Sequence, residues 1–413
     1  MSNLFFLFDQ NQSDILRRSI AAILTPILLS IATSAISQEQ STDKENKVAS
    51  KPAIQEVVIN AHPLSAEGLA QATAVLSGDD LAQALQTSIG ATVAGEPGVR
   101  MQSFGEAAGR PIIHGLAGPR VRILEDRIDT LDASVTSTDH AVTIEPFIAN
   151  NIEIIKGAST LLYGSGAIGG IVDVHTGRIP HNTTDKAVVG RVELRAADNG
   201  DRTVGMFRLD GTLPADDIAL SDKQSVVWHL DGFGRDAGEY DIPDFAESAQ
   251  LRAEEQAEGG SDADEQQGSL GGSHLRNHGG AAVVSVIGER GFIGLAISSL
   301  EADYGLPGGH EEESEGAGES GNPTLALEQV RIDFEAGLEN PFSGFESINF
   351  RMAINNYQHT EFELDGAAGT RFDNEAMEWR AELVHLPILS WAGSFGLQVN
   401  ERDFAAEGDE AFV

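Results

Sequence analysis

From residue 187 onward, apolar and polar side chains alternate one by one along a series of long segments. In Gln329 to Leu338, Val330, Ile332, Phe334 and Ala336 alternate with Gln329, Arg331, Asp333 and Glu335. Ile348, Phe350, Met352 and Ile354 alternate likewise with Ser347, Asn349, Arg351 and Asn355, and Met377, Trp379, Ala381 and Leu383 with Glu378, Arg380 and Glu382. Successive side chains of a strand point to opposite faces, so each run has one oily face and one charged face. Sustained at this length, the pattern predicts a transmembrane β-barrel, apolar towards lipid and polar towards the lumen. Nine candidate strands fall near residues 187–197, 202–213, 224–235, 276–287, 292–301, 326–338, 346–358, 373–386 and 391–403.

The connections test this reading independently. Pro214 to Lys223, Gly288 to Gly291, Glu339 to Phe345 and Pro387 to Ser390 are short. Asp236 to Leu275, Ala302 to Leu325 and His359 to Phe372 are longer and alternate in phase with the short ones, as strands crossing a membrane with short periplasmic turns require. Only the first outer turn, around Asn199-Gly200, breaks the rule.

Before Pro180 the pattern is different. Ser77-Gly78-Asp79-Asp80 are helix-start residues and predict a short helix to about Ile89. Short strands at Val121 to Glu125, Ile152 to Ile155 and Ile171 to Val174 alternate with glycine-rich turns, which makes a compact α+β unit. The stretch IEIIKGASTLLYGSGAIGGIVDV contains a literal G-x-G-x-x-G at Gly164, Gly166 and Gly169. A dinucleotide site needs a helix opening on that motif, yet Gly170 leads straight into Ile171-Val172-Asp173-Val174. The glycines are therefore expected to make tight turns and close backbone contacts.

Residues 1–37 read as a signal peptide: Arg17-Arg18, the apolar run Ile20 to Ile31, then Ala35-Ile36-Ser37. That run, interrupted by Pro26, is too short to span a bilayer as a helix. Residues 38–53 are polar and end near Pro52, which reads as a flexible linker. Ile54 to Ala61 is a short β-prone segment.

Charge and cysteine content narrow the partners. A net charge of -37 repels nucleic-acid phosphates and favours cations. With no cysteine, disulfides, thiolate nucleophiles and thiolate metal sites are excluded. No G-x-S-x-G elbow or H-E-x-x-H motif is present, so an enzymatic role finds no support. The acids crowd into two outer loops. Glu239 to Gly268 holds ten against the single Arg252, and Glu301 to Glu319 holds seven around His310-Glu311-Glu312-Glu313. Imidazole beside carboxylates is a ligand set for zinc and similar divalent ions.

The glycine-rich stretch, together with GRPIIHGLAGPRVRILEDRID (Gly109 to Asp129), closely resembles the plug domain of TonB-dependent outer-membrane receptors. The resemblance covers most of residues 54–180 and implies an α+β plug domain at 62–180. A partial antiparallel transmembrane β-barrel follows at 181–413, with acidic outer loops 236–275 and 302–325. The family's barrel has about 22 strands and strand counts in such barrels are even. The chain is thus expected to be incomplete at nine, an N-terminal fragment of a longer receptor.

The resemblance makes Ile54, Gln55, Glu56, Val57, Val58 and Ile59 the TonB box, which the periplasmic coupling protein grips by strand addition. It also selects a subgroup. Asp303-Tyr304-Gly305-Leu306-Pro307-Gly308-Gly309-His310 resembles a segment of the zinc-uptake receptors, and Asp139-His140 match their plug pair. The expected metal ligands are Asp139, His140, His310, Glu311, Glu312 and Glu313. His229 and Asp231 form a candidate relay, and His274 with His278 a weaker second pair. Departures from the subgroup are the single histidine of the outer loop, His114 in place of an arginine, and Lys156.

The expectation is an energy-coupled outer-membrane transporter for a divalent metal, with zinc as the first choice and as substrate rather than cofactor. Its partners would be the TonB complex, outer-membrane lipid and the barrel-insertion machinery, with no nucleic acid. Two alternatives stay open: a ferric-siderophore or haem receptor, and a non-transporting binding or adhesion barrel.

Overall fold

The computed structural model describes residues 72–213, 223–258, 266–307, 322–363, 366–389 and 391–408. The expected signal peptide, linker and TonB box, and His310 to Glu313, lie outside the described residues.

The N-terminal unit begins with β1 (Ala72–Ser77), α1 (Gly78–Ala84) and α2 (Ile89–Val93). The hairpin β2 (Val99–Phe104) and β3 (Ala108–Ile113) follows, then β4 (Val121–Glu125), β5 (Ile128–Asp129), β6 (Asn151–Lys156) and β7 (Gly170–His175). Its main sheet has the order β1-β6-β7-β4-β5. β4 and β7 run parallel, and the other neighbours are antiparallel. Both faces of β6 and β7 are buried, which is why their sequences are nearly continuous β-branched runs. On one face Ile152, Ile154, Val172 and Val174 pack with Leu81, Ile89, Val93, Val99 and Ile113. On the other, Ile155, Ile171 and Leu124 meet Tyr163 and Ala167 from the glycine-rich turn. Each such isoleucine contributes roughly 2 to 3 kcal/mol by leaving water.

The glycines make turns, and no helix opens on them. Gly164 and Gly166 have φ of 82° and 92°, and Gly170 enters β7 at φ 154°. L residues avoid all three conformations. The single helix expected from Ser77 to Ile89 is instead two. Leu85 turns to extended backbone (φ -55°, ψ 123°) and packs against the core, and a second helix starts behind Ser88, whose hydroxyl accepts from the Ala91 N–H.

The remaining strands build one large sheet. They are β8 (Val188–Ala197), β9 (Arg202–Leu213) and β10 (Ser225–Ala237), then β11 (Asp241–Phe245), α3 (Ala249–Glu258) and β12 (Gln267–Ser269) within the first long loop. Next come β13 (Leu275–Gly288), β14 (Gly291–Gly305), β15 (Thr324–Glu339), β16 (Phe345–Phe362), β17 (Ala368–Ile388) and β18 (Trp391–Glu407). All nine predicted strands are present, each antiparallel to its sequence neighbour in the order β8-β9-β10-β13-β14-β15-β16-β17-β18. Ile293, Leu295, Ile297, Val330, Ile332 and Ile354 are exposed on the outer face. Arg331, Glu335, Asn355, Glu378, Arg380 and Glu382 are buried on the inner face, against the N-terminal unit.

β16 shows how far the sheet extends past its apolar outer band. Its 18 residues extend about 60 Å at 3.4 Å per residue, twice a bilayer's hydrocarbon core. Its outward side chains are apolar from Ile348 to Ile354 and then turn polar at Asn356, Gln358 and Thr360. Its last residues therefore rise above the apolar band on the long-loop side. His359 to Phe362, expected in a loop, are therefore strand, and β17 already begins at Ala368, ahead of the expected start at 373.

Candidate metal centre

The loop joining β5 to β6 carries Asp139 and His140. It is cross-braced by Asp132, whose carboxylate accepts from the Ser134 N–H and hydroxyl at one end and from the Thr143 N–H (3.0 Å) at the other. From the sheet, the buried Tyr304 hydroxyl donates to the Asp139 carbonyl (3.1 Å) and accepts from the Ala141 N–H (3.0 Å). His140 is thus held from both sides, and its own ring is buried.

His140 Nδ1 lies 3.2 Å from the Ala133 carbonyl and 2.9 Å from the Thr136 hydroxyl. The carbonyl can only accept, so Nδ1 carries the proton and Nε2 is the atom left to act. Nε2 points at β16, where Glu361 Oε1 stands 2.9 Å away. His359, two residues earlier and therefore on the same face, places Nε2 3.6 Å from the same oxygen. The His359 Nε2 has no hydrogen-bond partner, while its Nδ1 is 2.8 Å from the buried Tyr357 hydroxyl. Phe372 stacks on the His359 ring at 4.4 Å and fixes its plane.

One ligand atom from each of His140, His359 and Glu361 lies within 4.8 Å of the others, the one such group of three among the described residues. A tetrahedral zinc with bonds near 2.0 to 2.1 Å sets its ligand atoms about 3.3 Å apart, close to the present spacing. Two imidazoles and one carboxylate leave a fourth position open. Burial alone would lower the His140 pKa, but the hydrogen bond to Glu361 and the nearby charge of Asp139 outweigh it and raise the value. The imidazolium–carboxylate pair is then the metal-free partner of the metal-bound state.

The expected residues divide as follows. His140 belongs to the group. Asp139 sits beside it, but its carboxylate accepts from the Ser137 hydroxyl and is not among the converging ligand atoms. His359 and Glu361 were not anticipated, although the alternation Asn355, Tyr357, His359, Glu361 on one face was readable had the strand been continued past Gln358. His229 lies deep in the wall with both nitrogens 2.8 Å from carboxylates, Asp210 and Asp231, so it has no free lone pair. His274 pairs with Asp303 (3.4 Å) and His278 with Glu301 (3.5 Å).

Below the centre, polar groups of the sheet hold the loop backbone. Arg331 donates to the Asp129 carbonyl (2.9 Å), and Asn355 and Asn374 both donate to the Leu131 carbonyl (2.7 Å each). Arg122 bridges Asp129 (2.6 Å) and Glu378 (3.1 Å), Arg127 reaches Glu382 (3.3 Å), and Arg178 grips Asp231 through two bonds of 2.7 and 2.9 Å.

The architecture is thus an α+β unit held by charge pairs and apolar contacts on the inner face of a large antiparallel sheet of nine strands. Residues 65–171 match the TonB-dependent Receptor Plug Domain, and the sheet that follows has the fold of the barrels of TonB-dependent receptors. Similar solved structures include the copper transporter OprC (TM-score 0.59, 15% identity, covering 81% of this chain and 47% of that one). A mutant of the ferric enterobactin receptor PfeA from Pseudomonas aeruginosa matches at TM-score 0.57 and 13% identity, with 81% and 49% covered. The ferric citrate transporter FecA matches at 0.53 and 13%, with 82% and 57% covered. The chain spans about half the length of these structures. Such receptors are transport proteins of the outer membrane, and no helix among the described residues is long and apolar enough to cross a membrane.

Proposed function

We propose that this chain belongs to an outer-membrane receptor that captures a divalent metal ion, zinc in the first place, and imports it with energy from the TonB complex. The observation that carries this reading is the His140, His359 and Glu361 group, because it joins the plug to the wall. An ion bound there is held by both bodies at once, and moving the plug separates its ligands. His310 and the acidic residues Glu311, Glu312 and Glu313 would collect ions for this centre, assisted by Asp139. Ile54 to Ile59 would be the coupling protein's handle, drawn through the linker at 38–53, with residues 1–37 directing export.

A ferric-siderophore receptor draws equal support from the fold, since the enterobactin receptor matches about as well as the copper transporter. What favours a bare ion is that two buried imidazoles and a half-buried carboxylate bring their ligand atoms within 4.8 Å of each other, a space for one ion and no large chelate. The test is zinc affinity of the folded chain in detergent, measured by chelator competition. His140→Ala and His359→Ala should each weaken it at least tenfold, about 1.4 kcal/mol. Unchanged affinity in both, or displacement of zinc by ferric enterobactin, would overturn the zinc reading.

A further inference from the structure

Two small polar cavities of about 20 Å³ each lie in the seam between plug and wall, along β14 and β15. The upper one is lined by Thr143, Glu145, Ser298, Gln329 and Arg331, the lower by Asp126, Ala296, Asp333, Glu335 and Arg351. Glu125 and Arg178 line both. Each is large enough for a water molecule, which needs about 10 to 15 Å³. Each also has a buried guanidinium nitrogen without a hydrogen-bond partner in its lining residues, Arg331 Nη2 above and Arg351 Nε below. Arg351 Nε faces Glu335 Oε2 at 3.7 Å, beyond hydrogen-bond reach, and buried donors left so beside cavities of that size indicate ordered water.

The pairing register places these cavities in line with the metal centre. His359 pairs with Leu327, and on the same inner face of β15 follow Gln329, Arg331, Asp333 and Glu335. At about 3.4 Å per residue, Gln329 is about 7 Å and Asp333 about 20 Å along the strand from the level of the centre, towards the short-turn end. Between the two cavities Glu125 is flanked by two arginines, with Arg331 Nε 3.9 Å from its Oε2. Arg178 Nη1 meets Glu125 Oε1 at 3.3 Å, while its other nitrogens are clamped on Asp231 of β10.

We propose that this hydrated seam is the route by which a divalent cation leaves the metal centre, and that the Glu125–Arg178 pair is its closed gate. Glu125 faces both compartments and supplies the carboxylate that a hydrated cation can step across. Arg178 stands beside it as a fixed positive charge that repels the cation until its hold on Asp231 is released. The route rests on the proposed metal cargo, but its test does not depend on metal binding.

The chain has no cysteine, so single introduced thiols can be read without background. Ser298→Cys reports the upper compartment and Ala296→Cys the lower, in the full chain in its membrane, with cationic and anionic methanethiosulfonate reagents added from outside. With Arg178 intact, the thiol at 298 should react and the one at 296 should be at least tenfold slower. Arg178→Gln should raise the cationic rate at 296 at least tenfold, and Arg178→Lys, which keeps the charge, should not. An anionic rate that rises equally would show a loosened plug and overturn the gate. So would no rise at 296 in either Arg178→Gln or Glu125→Gln, or no reaction at 298. Zinc affinity at His140, measured on the same variants, should stay unchanged; its absence from the unaltered chain would remove the cargo reading and leave the accessibility result standing.

Discussion

Replacing Tyr357 by phenylalanine deletes one oxygen from behind the metal centre and leaves the ring. That oxygen is 2.8 Å from His359 Nδ1, and both residues are buried. For Nε2 to bind a metal it must be bare, so the proton must sit on Nδ1 and be donated to the tyrosine oxygen. The variant leaves a buried N–H without an acceptor when the metal is bound. Loss of such a supporting contact typically costs 10- to 100-fold in metal affinity, about 1.4 to 2.7 kcal/mol. The desolvation penalty of an orphaned buried donor, about 1 to 3 kcal/mol, gives the same range. Chelator competition on the folded chain should therefore show zinc affinity weakened by about one to two decades, with Phe372 still stacking the ring. Affinity within about twofold of the unaltered chain would refute the assignment of Nε2 as the ligand, since only an Nδ1 role or no role is indifferent to this oxygen.

Metal-free stability should depend on pH through His140. Its pKa is raised, so the protonated pair with Glu361 stabilises fully below the ordinary histidine value and fades as pH rises through the raised one. Denaturant midpoints across that window should fall and flatten in His140→Gln, whereas zinc affinity should rise over the same window as the competing proton is lost. A midpoint independent of pH would remove the pair. Asn355→Ala and Asn374→Ala both strip donors from the Leu131 carbonyl, and each should cost about 1 kcal/mol of plug–sheet stability. In the double variant the loss should exceed the sum, because the last donor is then gone; strict additivity in a double-mutant cycle would show that the two act separately.

The strands were readable because their physics is local. Val330 and Arg331 differ in one respect that a sequence states outright: one lies on the exposed apolar face and the other on the buried polar face. The same physics explains where reading stopped. Beyond the apolar band the outward residues of β16 become Asn356, Gln358 and Thr360, so the contrast that marks a strand vanishes just where His359 and Glu361 stand. The break between α1 and α2 was hidden for another reason. Leu85 is a good helix former, and only the core it packs against turns it extended. Contacts such as Arg122 with Glu378 join positions 256 apart, and no periodicity reaches that far. Of the centre, only His140 was legible, because its two companions arrive from the other body.

The plug meets its wall through small apolar clusters, such as Phe147 and Ile148 on Met206 and Phe233, and between them through guanidinium, carboxylate and amide groups; the polar share changes how the two can part. A stopper bedded in grease would expose oily area for every ångström it slid, and the penalty would mount steadily. One held by Arg178 on Asp231 or Asn355 on Leu131 can trade each partner for a solvent molecule as it shifts. The polar part of the resistance is then a series of small discrete steps, and only the apolar clusters add a penalty that grows with the area uncovered.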